Sequence, residues 1–302
     1  MEETSNHPRR LGLGNPNRNL NDLPKEILVH ILSFLLTVDA IRSSLISSKW
    51  RPLWSLVPSL NFYFFNYDAG FFFRNRTNEE YRAPFFNPFV DLVDRVLNTR
   101  PLGSPSLQTF SLSFPYFNEY VSRVDSWIRC AVTRLRAREL DLHFCFDTQF
   151  HNFNDRYDFP FSVLRDGCVQ VFSLAGSSLT LPVDMRSLGS LRSVYLKKID
   201  LTDEMVRDLT LGCPNLEDLE LHTCEWLESL SICSTRLKKL VLEYEYFTHA
   251  MHTLEIDCPN LCSIRLRNCG FAHYVLNNAT SLVEDDSLVI VNEVSSFNLS
   301  FS

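Results

Sequence analysis

The residues best suited to chemistry lie near the end of the chain, where His249-x-x-His252 is followed by Cys258-x-x-x-Cys262. Two imidazoles and two thiols are the ligand set that zinc prefers. The surroundings argue against a metal. Cys258-Pro-Asn-Leu261 has a twin at Cys213-Pro-Asn-Leu216, and no histidine pair precedes that copy. The cysteine therefore answers a repeated structural need, and no metal ligand is assigned. Catalytic signatures are missing elsewhere: there is no Gly-x-x-x-x-Gly-Lys-Ser/Thr phosphate loop, no Gly-x-Gly-x-x-Gly turn and no Gly-x-Ser-x-Gly elbow. Nine glycines in all leave little room for cofactor loops. The expectation is no catalytic residue and no cofactor, with a thiol or metal enzyme the remotest reading.

Composition narrows the partners. The chain has 302 residues, a net charge of -7 and 45% hydrophobic residues, enough for one large domain or a small one plus a large one. A pI near 5.6 argues against nucleic acid, whose binders show a basic stripe. Pro8-Arg9-Arg10 is too short for a nuclear signal. No apolar run approaches the roughly 20 residues that cross a bilayer, and Met-Glu-Glu-Thr-Ser is not a secretory leader. Nine scattered cysteines fit reduced thiols. A soluble protein of the cytoplasm, the nucleus or both is expected, so the sequons at Asn75, Asn278 and Asn298 are read as chance.

Positioning elements come next. The pattern L-x-x-L-x-L recurs as Leu191-x-x-Val194-x-Leu196, Leu216-x-x-Leu219-x-Leu221, Leu237-x-x-Leu240-x-Leu242 and Leu261-x-x-Ile264-x-Leu266, with starts 25, 21 and 24 residues apart. That is the leucine-rich-repeat period. Looser copies begin at Leu107, Ala137 and Val169. Cys145, Cys224 and Cys269 fall eight residues after their repeat starts, where such repeats turn away from the strand. The fold expected is an irregular solenoid, each repeat giving one strand to a shared concave sheet. Helical returns are predicted over Asn118 to Leu135, with Val121, Val124, Ile128, Ala131, Val132 and Leu135 inward, and after a Thr202 cap. Extended returns are predicted at Leu227-x-x-Leu230-x-Ile232 and Met251-x-x-Leu254-x-Ile256.

In this register the leucines point inward and the residues between them outward, which is where repeat arrays bind. The candidate target-binding residues are Glu139, Asp141 and His143; Tyr195 and Lys197; Asp218, Glu220 and His222; Lys239 and Glu243; Arg265 and Arg267. Ser193, Val241 and Ser263 share the face. Its sign runs from acidic at Glu139 and Asp141 to basic at Arg265 and Arg267, which predicts a partner of opposite polarity.

The N-terminal segment has different physics. Asp22 is the expected N-cap and Pro24 the expected first turn of a helix, with Ile27, Leu28, Ile31, Leu32 and Leu35 forming one apolar stripe. A second helix is predicted from about Thr37 and a third from about Ser48 through Trp50 and Trp54. Three helices in about forty residues cannot bury this much Leu, Ile and Trp among themselves. The order Leu23-Pro24, then Ile-Leu-x-x-Ile-Leu-Ser-Phe-Leu, then Ser-x-x-x-Trp-Arg-x-Leu-Trp resembles the plant type of F-box. It departs at Leu36, where proline is common, and at Ser48-Lys49, where a basic pair is common. The resemblance implies docking on the Skp-type adaptor of a cullin-RING ubiquitin ligase through Leu23, Pro24, Ile27, Leu28, Ile31, Leu32 and Trp50. Phe89-Val-Asp-Leu-Val-Asp-Arg-Val-Leu97, Trp127-Ile-Arg-Cys-Ala-Val132 and Arg138-Glu-Leu-Asp-Leu142, with the repeats, resemble plant F-box proteins with leucine-rich repeats.

The expected organisation is α+β: a disordered N-terminus over 1–18, a three-helix F-box over 19–60, an aromatic junction with a helix over 61–105, repeats over 106–290 and a tail over 291–302. Phe62 to Phe65, Phe71 to Phe73 and Phe85-Phe86 are expected to pack where the modules meet. Relatives of this type often carry a further C-terminal domain. None is expected here, so Leu288, Val289 and Val291 are expected to be partly exposed. The implied role is target selection for an SCF-type ligase. The alternative is a repeat-bearing scaffold with a weak F-box and no ligase role. No lysine lies between Lys49 and Lys197 among the six, which is read as limiting self-modification.

Overall fold

A computed structural model describes residues 20–64, 79–101, 103–144, 156–182, 184–225, 227–245, 251–278, 282, 288–291 and 298–301. The chain divides into two compact units, Met1–Val57 and Pro58–Ser302. The expectations for residues 1–18, for Cys145 and for His249 lie outside the described residues, as do those for the exposure of Leu288, Val289 and Val291.

In the first unit a 3-10 turn at Leu20–Asp22 leads to α1 (Lys25–Ser33) and α2 (Thr37–Arg42). Pro24, not Asp22, occupies the N-cap position of α1. Leu28, Leu32, Ala40, Trp50, Leu53 and Val57 form the core, with Leu23, Val29 and Trp54 packed against it. The predicted third helix is a turn followed by a 3-10 segment at Leu53–Leu56. Pro52 accounts for this, because it lacks an amide hydrogen and biases Arg51 away from helical angles.

The second unit is built on a nine-stranded parallel sheet. Its strands in spatial order are β1 (Ser59–Tyr63), β2 (Thr109–Ser113), β3 (Glu139–His143), β5 (Val171–Ala175), β7 (Ser193–Lys197), β8 (Asp218–His222), β10 (Lys239–Glu243), β12 (Ser263–Arg267) and β14 (Leu288–Val291). Spatial order follows chain order, so each repeat lays its strand beside the last. The paired leucines of the repeats are buried, from Leu60 and Phe62 on β1 to Ile264 and Leu266 on β12. A second parallel sheet holds β9 (Ser229–Cys233), β11 (Met251–Asp257), β13 (Phe271–Asn277) and β15 (Asn298–Phe301), which include the predicted extended returns. β4 (Asp158–Pro160) and β6 (Ser178–Thr180) form a small pair.

Helices fill the other returns. α3 (Glu79–Thr99) ends before Pro101, α4 (Val121–Arg129) continues as a π turn at Cys130–Arg134, and α5 (Asp203–Gly212) is capped by Thr202, whose hydroxyl accepts from the Met205 amide at 3.2 Å. Val124, Ile128, Ala131, Val132 and Leu135 are buried as the spacing predicts, whereas Val121, also expected inward, is exposed and Trp127 is buried in addition. The described part of the aromatic stretch belongs to this unit's own core: Phe64 lies 4.7 Å from Phe86, and Phe89 stacks on Phe114 at 5.5 Å. The Trp127 indole donates to Asp94 at 2.6 Å, tying α4 to α3.

Candidate functional site

Two surfaces are candidates, one in each unit. In the first unit the seven expected adaptor contacts separate into two groups. Leu28, Leu32 and Trp50 are buried in the unit's own core. Ile27 and Ile31 are exposed, as is Pro24, while Leu23 is half-buried. α1 therefore has two apolar stripes side by side. Leu28 and Leu32, four apart, face in; Ile27, Ile31 and Phe34, at i, i+4 and i+7, face out. Leu20, Leu35, Leu45 and Ile46 are exposed as well, Phe34 to 76% and Leu45 to 86%. The heptad spacing does not reveal this division, because both stripes read as one wide face.

Asn21, which the sequence reading missed, holds the segment together. Its side-chain oxygen accepts from the Trp50 indole at 2.7 Å and from Ser47 at 3.2 Å. Lys49 donates to the Asn21 and Leu23 carbonyls at 2.5 and 2.8 Å. The start of the unit is thus tied to the turn before Leu53.

In the second unit all twelve candidate residues come together on one face of the nine-stranded sheet. Register aligns them in three rows: Glu139, Val171, Ser193, Asp218, Lys239 and Ser263; Asp141, Ser173, Tyr195, Glu220, Val241 and Arg265; His143, Ala175, Lys197, His222, Glu243 and Arg267. Arg265 and Arg267 are exposed, while the other ten are half-buried. Val241 is covered by its neighbours.

Ion pairs link the later strands. Lys239 bonds Glu220 at 2.6 Å, Arg267 bonds Glu243 at 3.0 Å, and His222 lies 3.2 Å from Glu220 and 3.7 Å from Glu243. The Tyr195 ring sits 4.6 Å from the His222 ring. On β3, Thr109 and Gln108 donate to Glu139 at 2.7 Å each, and Ser111 and His143 bond Asp141 at 2.7 and 2.9 Å. Burial works against the Asp141 carboxylate, but hydrogen bonds from His143 and Ser111 outweigh it and hold its pKa below the ordinary value. Glu220 is lowered in the same way: burial opposes the charge, and bonds from Lys239 and His222 prevail.

The repeat cysteines are structural. Cys224 and Cys269 are buried, donate to backbone carbonyls of Leu196 and Leu242, and have thiols pushed up by burial to about 12. Cys213 and Cys258 are pushed up likewise. The twin asparagines after them play one part twice: Asn215 donates to the Gly189 carbonyl and Asn260 to the Thr235 carbonyl, each at 2.7 Å. Among the described residues no cluster of three or more His, Cys, Asp or Glu could hold a metal, and no helix is long and apolar enough to cross a membrane.

Comparison with known proteins finds one matching family in each unit. Residues 20–55 match the family described as F-box-like, and residues 104–293, more than half the chain, match the one described as At1g61320/AtMIF1, LRR domain. The Arabidopsis thaliana F-box/LRR-repeat protein At3g58900 is 30% identical over 268 residues, covering 87% of this chain and 77% of the relative. The F-box/FBD/LRR-repeat protein At1g78750 of the same plant is 27% identical over 90% of this chain and 57% of its own length. The F-box/LRR-repeat protein At3g59200, also from that plant, is 29% identical over 88% of this chain and 48% of its own. The chain thus spans only about half the length of some of these relatives.

Proposed function

We propose, for a chain that belongs to the F-box/LRR-repeat proteins, the role of a substrate-recognition adaptor in an SCF-type cullin-RING ubiquitin ligase. The first unit docks on a Skp-type adaptor and, through it, on the cullin and RING subunits. The outer face of the nine-stranded sheet, in an irregular leucine-rich-repeat solenoid, selects the protein to be modified. The observation that carries the reading is the outer stripe of α1. Ile27, Ile31 and Phe34 stay exposed beside a core already filled by Leu28, Leu32 and Trp50, and an exposed apolar patch of this kind marks a protein interface.

The chain itself performs no chemistry. It raises the effective concentration of the target's lysines near the loaded conjugating enzyme. The four buried cysteines suit this role, because thiols pushed up to about 12 are poor nucleophiles. Its place is the cytoplasm or nucleus, where thiols stay reduced. Co-purification with a Skp-type adaptor tests the reading: Ile27→Glu with Ile31→Glu should abolish association while circular dichroism stays unchanged. A folded wild-type chain that captures no adaptor would instead make it a free-standing scaffold.

A further inference from the structure

The charges of the sheet face are answered unevenly. Toward β12 Glu220 meets Lys239 and Glu243 meets Arg267, while Asp218 accepts from the Ser193 hydroxyl. On β3, Glu139 and Asp141 are bonded by Gln108, Thr109, Ser111 and His143, and among the described residues neither has a Lys or Arg within ion-pair reach. Both remain accessible, the Asp141 side chain to 31%. In the row of Asp141 the neighbouring strand β5 presents Ser173, half-buried and smaller than the residues on either side of it, while Ala175 in the next row is buried. Beyond it, in the same row as Asp141 and Ser173, rises Tyr195. Strand spacing puts the Asp141 and Tyr195 backbones roughly 10 Å apart. His222, from β8, covers one face of the Tyr195 ring at 4.6 Å, leaving the other toward β5.

We infer that this slot over β5 takes a basic side chain, arginine or lysine, projecting from the target protein. The carboxylates supply the opposite charge, the small floor gives the stem room, and the ring supplies a cation–π contact. An acidic side chain would meet two like charges there, and an apolar one would strip water from the carboxylates without pairing them. The inference rests on the reading of this face as the target-binding surface, and it adds the chemistry of the anchor.

The test uses the full chain bound to its Skp-type adaptor as bait for a randomised twelve-residue peptide display library. Wild-type protein should enrich peptides sharing one arginine or lysine. A synthetic copy of the leading peptide should lose about tenfold in affinity to Glu139→Gln with Asp141→Asn, and about fivefold to Tyr195→Leu. Tyr195→Phe should retain binding, and citrulline or norleucine in place of the basic residue should abolish it. Circular dichroism of each variant separates lost contacts from lost fold. Enriched peptides without a basic residue, no enrichment at all, or affinity unmoved by the β3 changes would overturn the inference. Peptides without a basic residue that still lose binding on Tyr195→Leu would do so while leaving the target-binding reading intact.

Discussion

Asp141 carries a pH dependence whose sign follows from its partners. Its folded pKa is depressed, so its stabilising effect is fully present above the ordinary carboxylate value of roughly 3.9 and disappears as pH falls through the lower folded value. Urea unfolding should therefore show a constant stability gap between wild type and Asp141→Asn from neutral pH down to about 5, closing below about 4. Asn21 gives a second outcome at this scale. Replacing it with Ala leaves the buried Trp50 indole without its acceptor, which should cost about 1–3 kcal/mol in thermal unfolding of the first unit. Strand alternation made the outward residues of the sheet legible, since period two decides which side chains point away from the core. It could not reveal which of them are already paired, because pairing runs between strands some twenty-five residues apart. Nor could it mark Asn21, whose partners lie 26 to 29 positions away.

Repeat spacing made most strands of the large sheet legible, and β1 was among those it missed. Val57-x-x-Leu60-x-Phe62 fits the repeat, but it stands beside a run of phenylalanines that reads as a separate junction. The structure pairs it with β2. The turns after the strands show a finer regularity. Gly176, Lys198, Thr223 and Asn268 each follow a strand with positive φ, so the chain turns left-handed at one repeat position. Thr223, at φ 50, is β-branched and poorly suited to that angle. Thr223→Asn should raise the unfolding free energy by about 1 kcal/mol, read from the denaturation midpoint at constant m-value. In the first unit, Leu36 has φ -59, which is the angle proline imposes. Leu36→Pro should stabilise the unit by about 0.4–1 kcal/mol, visible as a higher Tm. Proline at this position therefore fits the φ already present.

At the scale of the molecule, two surfaces of opposite character accompany two units with separate cores. One is apolar and presented by α1; the other is largely polar, laid out in rows across six strands from β3 to β12. Composition said little about the partner, whereas the order of motifs anticipated both units. What it could not supply was the division of α1 into an inner and an outer stripe, because Leu28 and Ile27 are equally apolar and only packing distinguishes them. Calorimetric titration of the full chain with a Skp-type adaptor tests the central claim most directly. Wild-type protein and the Glu139→Gln, Asp141→Asn variant should bind equally, while Ile27→Glu with Ile31→Glu should lose at least a hundredfold, about 2.7 kcal/mol. Undiminished binding by the α1 variant, with both proteins folded, would contradict the account.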